Sequence, residues 1–161
     1  MNWHIPLLTD RHDRYYHGLW SNGTMDSHVP LHELNDRMRR FKSRMDTKNP
    51  DWELAVFFGN INLYYFTGTM QDSMLYIPRD GDPTLWVRKS YERARDESEF
   101  KNIERMSSFR DAAKVYSAHP ESVYLETELV PLALFNRFSK HFPIPDVRSV
   151  DADINMVRAV K

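Results

Sequence analysis

Cysteine is absent from this chain, and with it go disulfide frameworks, thiol catalysis and Cys-based zinc or iron–sulfur sites. That fits a reducing compartment, and the expected location is the cytoplasm. Long apolar runs are missing too. The opening MNWHIPLLTDRHDRYY holds nothing near a signal-peptide core, and no stretch approaches the roughly 20 apolar residues of a membrane span. There is no excess of charge of either sign: 22 Lys and Arg stand against 23 Asp and Glu, a formal net charge of −1. No global field favours nucleic acid or an anionic membrane, so neither is expected as a partner.

Catalytic signatures fail in the same way. HELND, from His32, opens like a zinc-protease helix but has Asp36 where the second histidine must stand. GNINLYYFTG and RDGD lack the spacing and the lysine of a phosphate loop, and no G-x-S-x-G elbow occurs. His4, His12 and His17 read as surface residues of an irregular arm, and His119 and His141, close to prolines, read the same way. RARDESEF is most simply a solvated face of near-neighbour ion pairs. Nothing assembles a nucleophile with a base, so the residues alone point to a domain with no catalytic and no metal-ligating set.

What is present is a foldable core: 161 residues, 41% hydrophobic and 13% aromatic, fit one domain, since single cores commonly run to about 100 to 150 residues. Residues 1–28 show no sustained periodicity and read as a lead-in arm partly packed by Trp3, Leu7, Tyr15 and Trp20. From Pro30, Leu31, Leu34, Met38, Phe41 and Met45 recur at three and four, the apolar face of a helix that ends before Pro50. Its basic opposite face reads as solvated, with docking to an acidic partner as the lesser alternative.

ELAVFFG has no polar alternation and predicts a central strand covered on both faces. SMLYIPRDGDPTLWV predicts a hairpin, Met74 to Ile77 and Thr84 to Val87, with Asp80-Gly81 at its tip. SYERARDES reads as a surface helix, and SFRDAAKVY as a helix opened by Ser108 and Asp111 in a capping box. SVYLE is a short strand, VPLALFNRFSKHF a helix with Pro131 near its start, and IPDVRSV an edge-like strand. Strands alternating with helices after one hairpin imply a mixed sheet in a three-layer α/β domain. DADINMVRAVK is a last helix, amphipathic to its final residues and without a stop signal. It reads equally as a natural C-terminus or as the start of something longer.

One stretch stands out: NINLYYFTG, three consecutive aromatics closed by Thr-Gly. NLYYFTGT from Asn62, followed by SMLYIPRDGDPTLWV and RKSYERARDES, resembles the N-terminal domain of the creatinase, prolidase and Xaa-Pro aminopeptidase family. Asn62, Tyr65, Thr67 and Gly68 fall on the family pattern, Leu63 and Phe66 are apolar variants, and Thr69 stands where the family usually has Phe. The resemblance runs from about Leu31 to Lys161. It implies a ribonuclease-H-like α/β/α layer over residues 29–150. It also implies a junction helix from residue 151 to 161 that leads to a C-terminal pita-bread catalytic domain absent from this chain.

Two divalent ions (Mn, Co or Zn) would belong to that missing domain, and none to this one. The implied role is a non-catalytic domain that helps form a homodimer and narrows the cleft of a peptidase acting on short proline-containing peptides. Asn62 through Gly68 would be a structured turn after the first strand. Tyr65 and Phe66 would pack or line a pocket edge, Thr67 would hold the turn by a side-chain hydrogen bond, and Gly68 would give backbone freedom. Arg88, just after the hairpin, is the candidate for a substrate carboxylate. Two alternatives stay open: a stand-alone α/β ligand-binding or protein-interaction domain, and the N-terminal half of a creatinase-like amidinohydrolase.

Overall fold

The computed structural model describes residues 28–160 and, before them, the backbone of a short antiparallel pair, β1 (Trp20–Ser21) and β2 (Thr24–Met25), with Trp20 opposite Met25. The arm expected to be irregular thus carries one small strand pair, while Trp3, Leu7 and Tyr15 lie outside the described residues. Helix α1 (Leu31–Lys48) buries Leu34, Met38, Phe41 and Met45, the stripe that the spacing predicts, and stops just before Pro50. Strand β3 (Leu54–Phe57) is buried at all four positions.

The aromatic stretch then departs from expectation: it is not a turn but a helix, α2 (Asn60–Thr67). Asparagine and aromatics are indifferent helix formers, so tertiary contacts decide. Leu63 and Phe66 are buried against the core, and Gly68 closes the helix in the left-handed region at φ 75°, its N–H donating to the Tyr64 carbonyl at 2.8 Å.

The predicted hairpin forms as β4 (Ser73–Pro78) and β5 (Thr84–Val87), antiparallel with Ser73 opposite Val87. Its tip is fastened to α1 by the Lys42 ammonium, which donates to the Gly81 carbonyl at 2.8 Å. Then come α3 (Tyr91–Glu97) and β6 (Ile103–Arg105). The sequence carried no signal for β6, which is three residues long and buries Ile103 alone. Helix α4 (Phe109–Ala113) is shorter than its sequence stretch, although Asp111 does accept hydrogen bonds from the Ser107 and Ser108 backbone N–H groups. These bonds hold its carboxyl below the usual aspartate range. The described chain closes with β7 (Ser122–Leu125), α5 (Leu132–His141), β8 (Asp146–Ser149) and α6 (Asp151–Ala159).

Six strands form one mixed sheet in the order β6-β5-β4-β3-β7-β8. Only β4 runs against its neighbours, and β8 sits at an edge as expected. Alternate residues feed opposite faces. Ala55, Phe57, Leu75, Ile77 and Leu85 pack under α1, α2, α3 and α6, while Leu54, Val56, Met74, Tyr76 and Trp86 pack under α4 and α5. The result is the expected three-layer α/β/α domain. On the first face Phe41 is the hub, edge-on to Trp52, Phe57 and Phe66 with ring centroids 6.2, 5.5 and 5.3 Å away.

Candidate binding cleft

Where β3 ends, the chain must turn into α2 and leave the first backbone N–H groups of a helix without partners. Glu126, just past β7, supplies the acceptor from a fully buried position. Its carboxylate accepts from the Phe58 N–H at 2.6 Å, the Gly59 N–H at 2.9 Å and the Asn62 side-chain amide at 2.7 Å. An anion at a helix N-terminus is favoured by the helix dipole, and the direct donors make up for its lost hydration. Asn62 in turn accepts from Arg158 on α6 at 3.0 Å. Glycine at 59 is required by this closeness: a Cβ there would stand 2.6 Å from the Glu126 Oε1.

Beside this joint, at the carboxyl ends of β3, β5 and β6, opens a cleft of about 540 Å³. Sheets of this kind place ligands outside the carboxyl ends of their strands, and the volume lies within the small-molecule range. Phe58 and Phe109, half-buried and edge-on at 5.8 Å, form an aromatic floor backed by Phe138. Arg88, Arg137, Lys140 and His141 line the walls. Arg88 is tied to Asp72, the one carboxylate among the described residues of the lining, by an ion pair at 2.6 Å and by its backbone N–H to the Asp72 carbonyl at 2.8 Å. Arg137 and Lys140 have no carboxylate partner among the described residues.

The rim segment before Asp72 is anchored from below. Thr69 is buried and donates to Glu97 Oε1 at 2.5 Å, and Gln71 donates to the same oxygen at 2.9 Å. Burial works against the Glu97 charge, but hydrogen bonds from Thr69, Gln71 and Arg93 outweigh it and hold the carboxyl below its ordinary range.

Of the five residues singled out in the sequence, Asn62, Tyr65, Thr67 and Gly68 come together on α2 and at its cap, and none of the four lines the cleft. Asn62 is buried and its amide is spent on Glu126 and Arg158. Thr67 donates to the Leu63 carbonyl at 2.6 Å, within its own helix. Tyr65 is half-buried beneath the Arg37 guanidinium, 4.8 Å from its ring centroid, and its hydroxyl donates to the Val157 carbonyl at 3.4 Å. Phe66 is core, whereas Tyr64 is exposed.

Arg88 stands apart, in the cleft wall. Sequence reading missed Glu126, which only the fold brings to Gly59, and the α5 stripe of Leu134, Arg137 and His141, whose helical spacing was legible. Among the described residues, no group of three or more His, Asp or Glu comes together to hold a metal ion, and no helix is long and apolar enough to cross a membrane.

Residues 37–160 match the model of the Creatinase/Prolidase N-terminal domain. The chain belongs to that family. Solved structures agree in fold with this Creatinase/Prolidase N-terminal domain. A proline dipeptidase from Streptococcus pneumoniae TIGR4 matches with a TM-score of 0.66 at 16% identity, over 77% of this chain and 98% of that one. The prolidase from Pyrococcus horikoshii OT3 matches with a TM-score of 0.68 at 22% identity, over 79% of this chain but 36% of that longer one. An Xaa-Pro aminopeptidase from Streptococcus pyogenes gives 0.66 at 16% identity, over 80% and 100%. No protein of curated function matches.

Proposed function

We propose that this domain is the non-catalytic, shaping part of a proline-directed aminopeptidase or dipeptidase. It would contribute to a homodimer and narrow the cleft of a pita-bread peptidase domain absent from this chain. The observation that carries the reading is the likeness to the Pyrococcus horikoshii prolidase, in which the matched fold is 36% of the chain. The remainder of such a protein would hold two divalent ions, which activate a water for attack on the peptide bond.

This domain's residues would work by position. Asn62 and Tyr65 hold α2 against Glu126, α1 and α6, Thr67 and Gly68 close its C-terminal end, and together they fix the wall beside Phe58. Arg88 is the proposed contact for a peptide carboxylate. The parent protein is read as cytoplasmic, with residues 1–28 as an arm, 29–150 as the domain and 151–161 as the start of a junction helix.

The test has two parts. The purified chain is expected to show no turnover of a Xaa-Pro dipeptide with added Mn²⁺ or Co²⁺, and the reading frame beyond Lys161 is expected to encode roughly 200 further residues with spaced Asp, His and Glu. Measurable turnover by the chain alone, or a stop codon directly after Lys161, would refute the reading. The second outcome would favour a stand-alone ligand-binding domain, for which the cleft itself speaks.

A further inference from the structure

We propose that the cleft at the carboxyl ends of β3, β5 and β6 is a binding site for a small phosphate monoester with an apolar or aromatic body. Its charge selects a dianion. Among the described residues of the lining, Arg88, Arg137 and Lys140 bring three positive charges and Asp72 removes one, which leaves an excess of two. A phosphate monoester carries about −1.5 to −2 at pH 7, so it matches that excess, whereas a single carboxylate leaves one cation uncompensated.

The floor selects the body. Phe58 and Phe109 present half-buried rings, and Met106 and Leu134 add to the apolar lining. A ligand seated there places a ring or branched chain on the aromatics and its charged end against α5.

Basic residues near the end of a helix also answer the helix dipole, and Lys140 and His141 lie in the last turn of α5. Arg137 lies one turn earlier, beyond the reach of that effect, and shares with Leu134, Lys140 and His141 the side of the helix that lines the cleft. Three basic side chains aligned with an apolar residue over a concave aromatic floor form a recognition surface rather than a capping pattern. The size of about 540 Å³ lies within the range of small-molecule sites.

The experiment is a calorimetric titration of the whole chain with phenyl phosphate, beside inorganic phosphate, benzoate and the dipeptide Gly-Pro. Phenyl phosphate is expected to bind saturably at about millimolar or tighter, with inorganic phosphate and benzoate each about tenfold weaker. R137Q and K140M are each expected to weaken phenyl phosphate by about tenfold. Both side chains are exposed, so thermal unfolding of the two variants should match the parent.

Absence of saturable heat, equal binding of inorganic phosphate and phenyl phosphate, or affinity unchanged in both variants overturns the proposal. Gly-Pro binding more tightly than phenyl phosphate overturns it as well, and favours a peptide-end subsite instead. The proposal does not rest on the peptidase reading, which stands or falls on its own assay.

Discussion

One sheet, two roofs: the alternating residues of β3, β4 and β5 are equally apolar on both sides, yet the helices above them are not alike. On the first side the 18-residue α1, with α2, α3 and α6, presses an unbroken aromatic hub around Phe41. On the second, the five-residue α4 and α5, which buries Phe138 alone, leave Phe58 and Phe109 half-open at the cleft. Apolar patterning in a strand therefore reports only that a face will be covered. How tightly it is covered is set by the length and the apolar stripe of the helix laid on it, and the looser cover is where a ligand finds room.

The contrast is sharpest in core truncations. Phe41→Ala is expected to cost about 3–5 kcal/mol, because a fully buried hub leaves a cavity that its neighbours cannot fill. Phe109→Ala, half-exposed at the cleft floor, should cost roughly 1–2 kcal/mol. Urea unfolding of both variants measures the difference, and equal losses would erase the distinction between the faces.

The joint at the top of β3 gives the next largest effect. Gly59→Ala sets a methyl against Glu126 and is expected to destabilise by about 2–3 kcal/mol. Glu126→Ala strands the Phe58 and Gly59 N–H groups at a similar cost, roughly 2–3 kcal/mol. Since the new methyl occupies space the lost carboxylate leaves, the double variant should fall short of the sum of the two. Strict additivity in the same unfolding assay would show that the two sites do not meet.

The last effect belongs to the looser face and appears only at high pH. Tyr76 stacks on Tyr116 with centroids 3.9 Å apart, and burial, with a lesser contribution from Tyr116, pushes its hydroxyl from 10.0 up to about 12. The folded state holds this proton more tightly than the unfolded chain. Its contribution is therefore complete below pH 10 and fades as pH rises through about 12. Tyr76→Phe should flatten that part of the stability profile, measured as urea midpoints against pH. An unchanged slope would place the alkaline loss elsewhere.

Much of this could be read from the chain, because α1, β3 and the hairpin declare themselves through periodicities contained within their own residues. Helix α2 could not, since what starts it is a carboxylate 67 residues away in the chain, and the family resemblance implied a turn there. Strand β6 is too short to carry a pattern and exists because β5 offers it a free edge. The cleft was half legible: Arg88 was visible as a cation at a strand end, while Arg137 and Lys140 became meaningful only once α5 lay across the ends of strands far from it in sequence.

The bond from Arg158 to Asn62 ties α6 to α2 on the first side. Asn62 grips Glu126, and Glu126 grips the peptide that carries Phe58. A displacement of α6 that outruns the reach of the Arg158 side chain therefore breaks this tether or draws on the aromatic lip, so a pull applied near the end of the described chain is passed toward the mouth of the cleft.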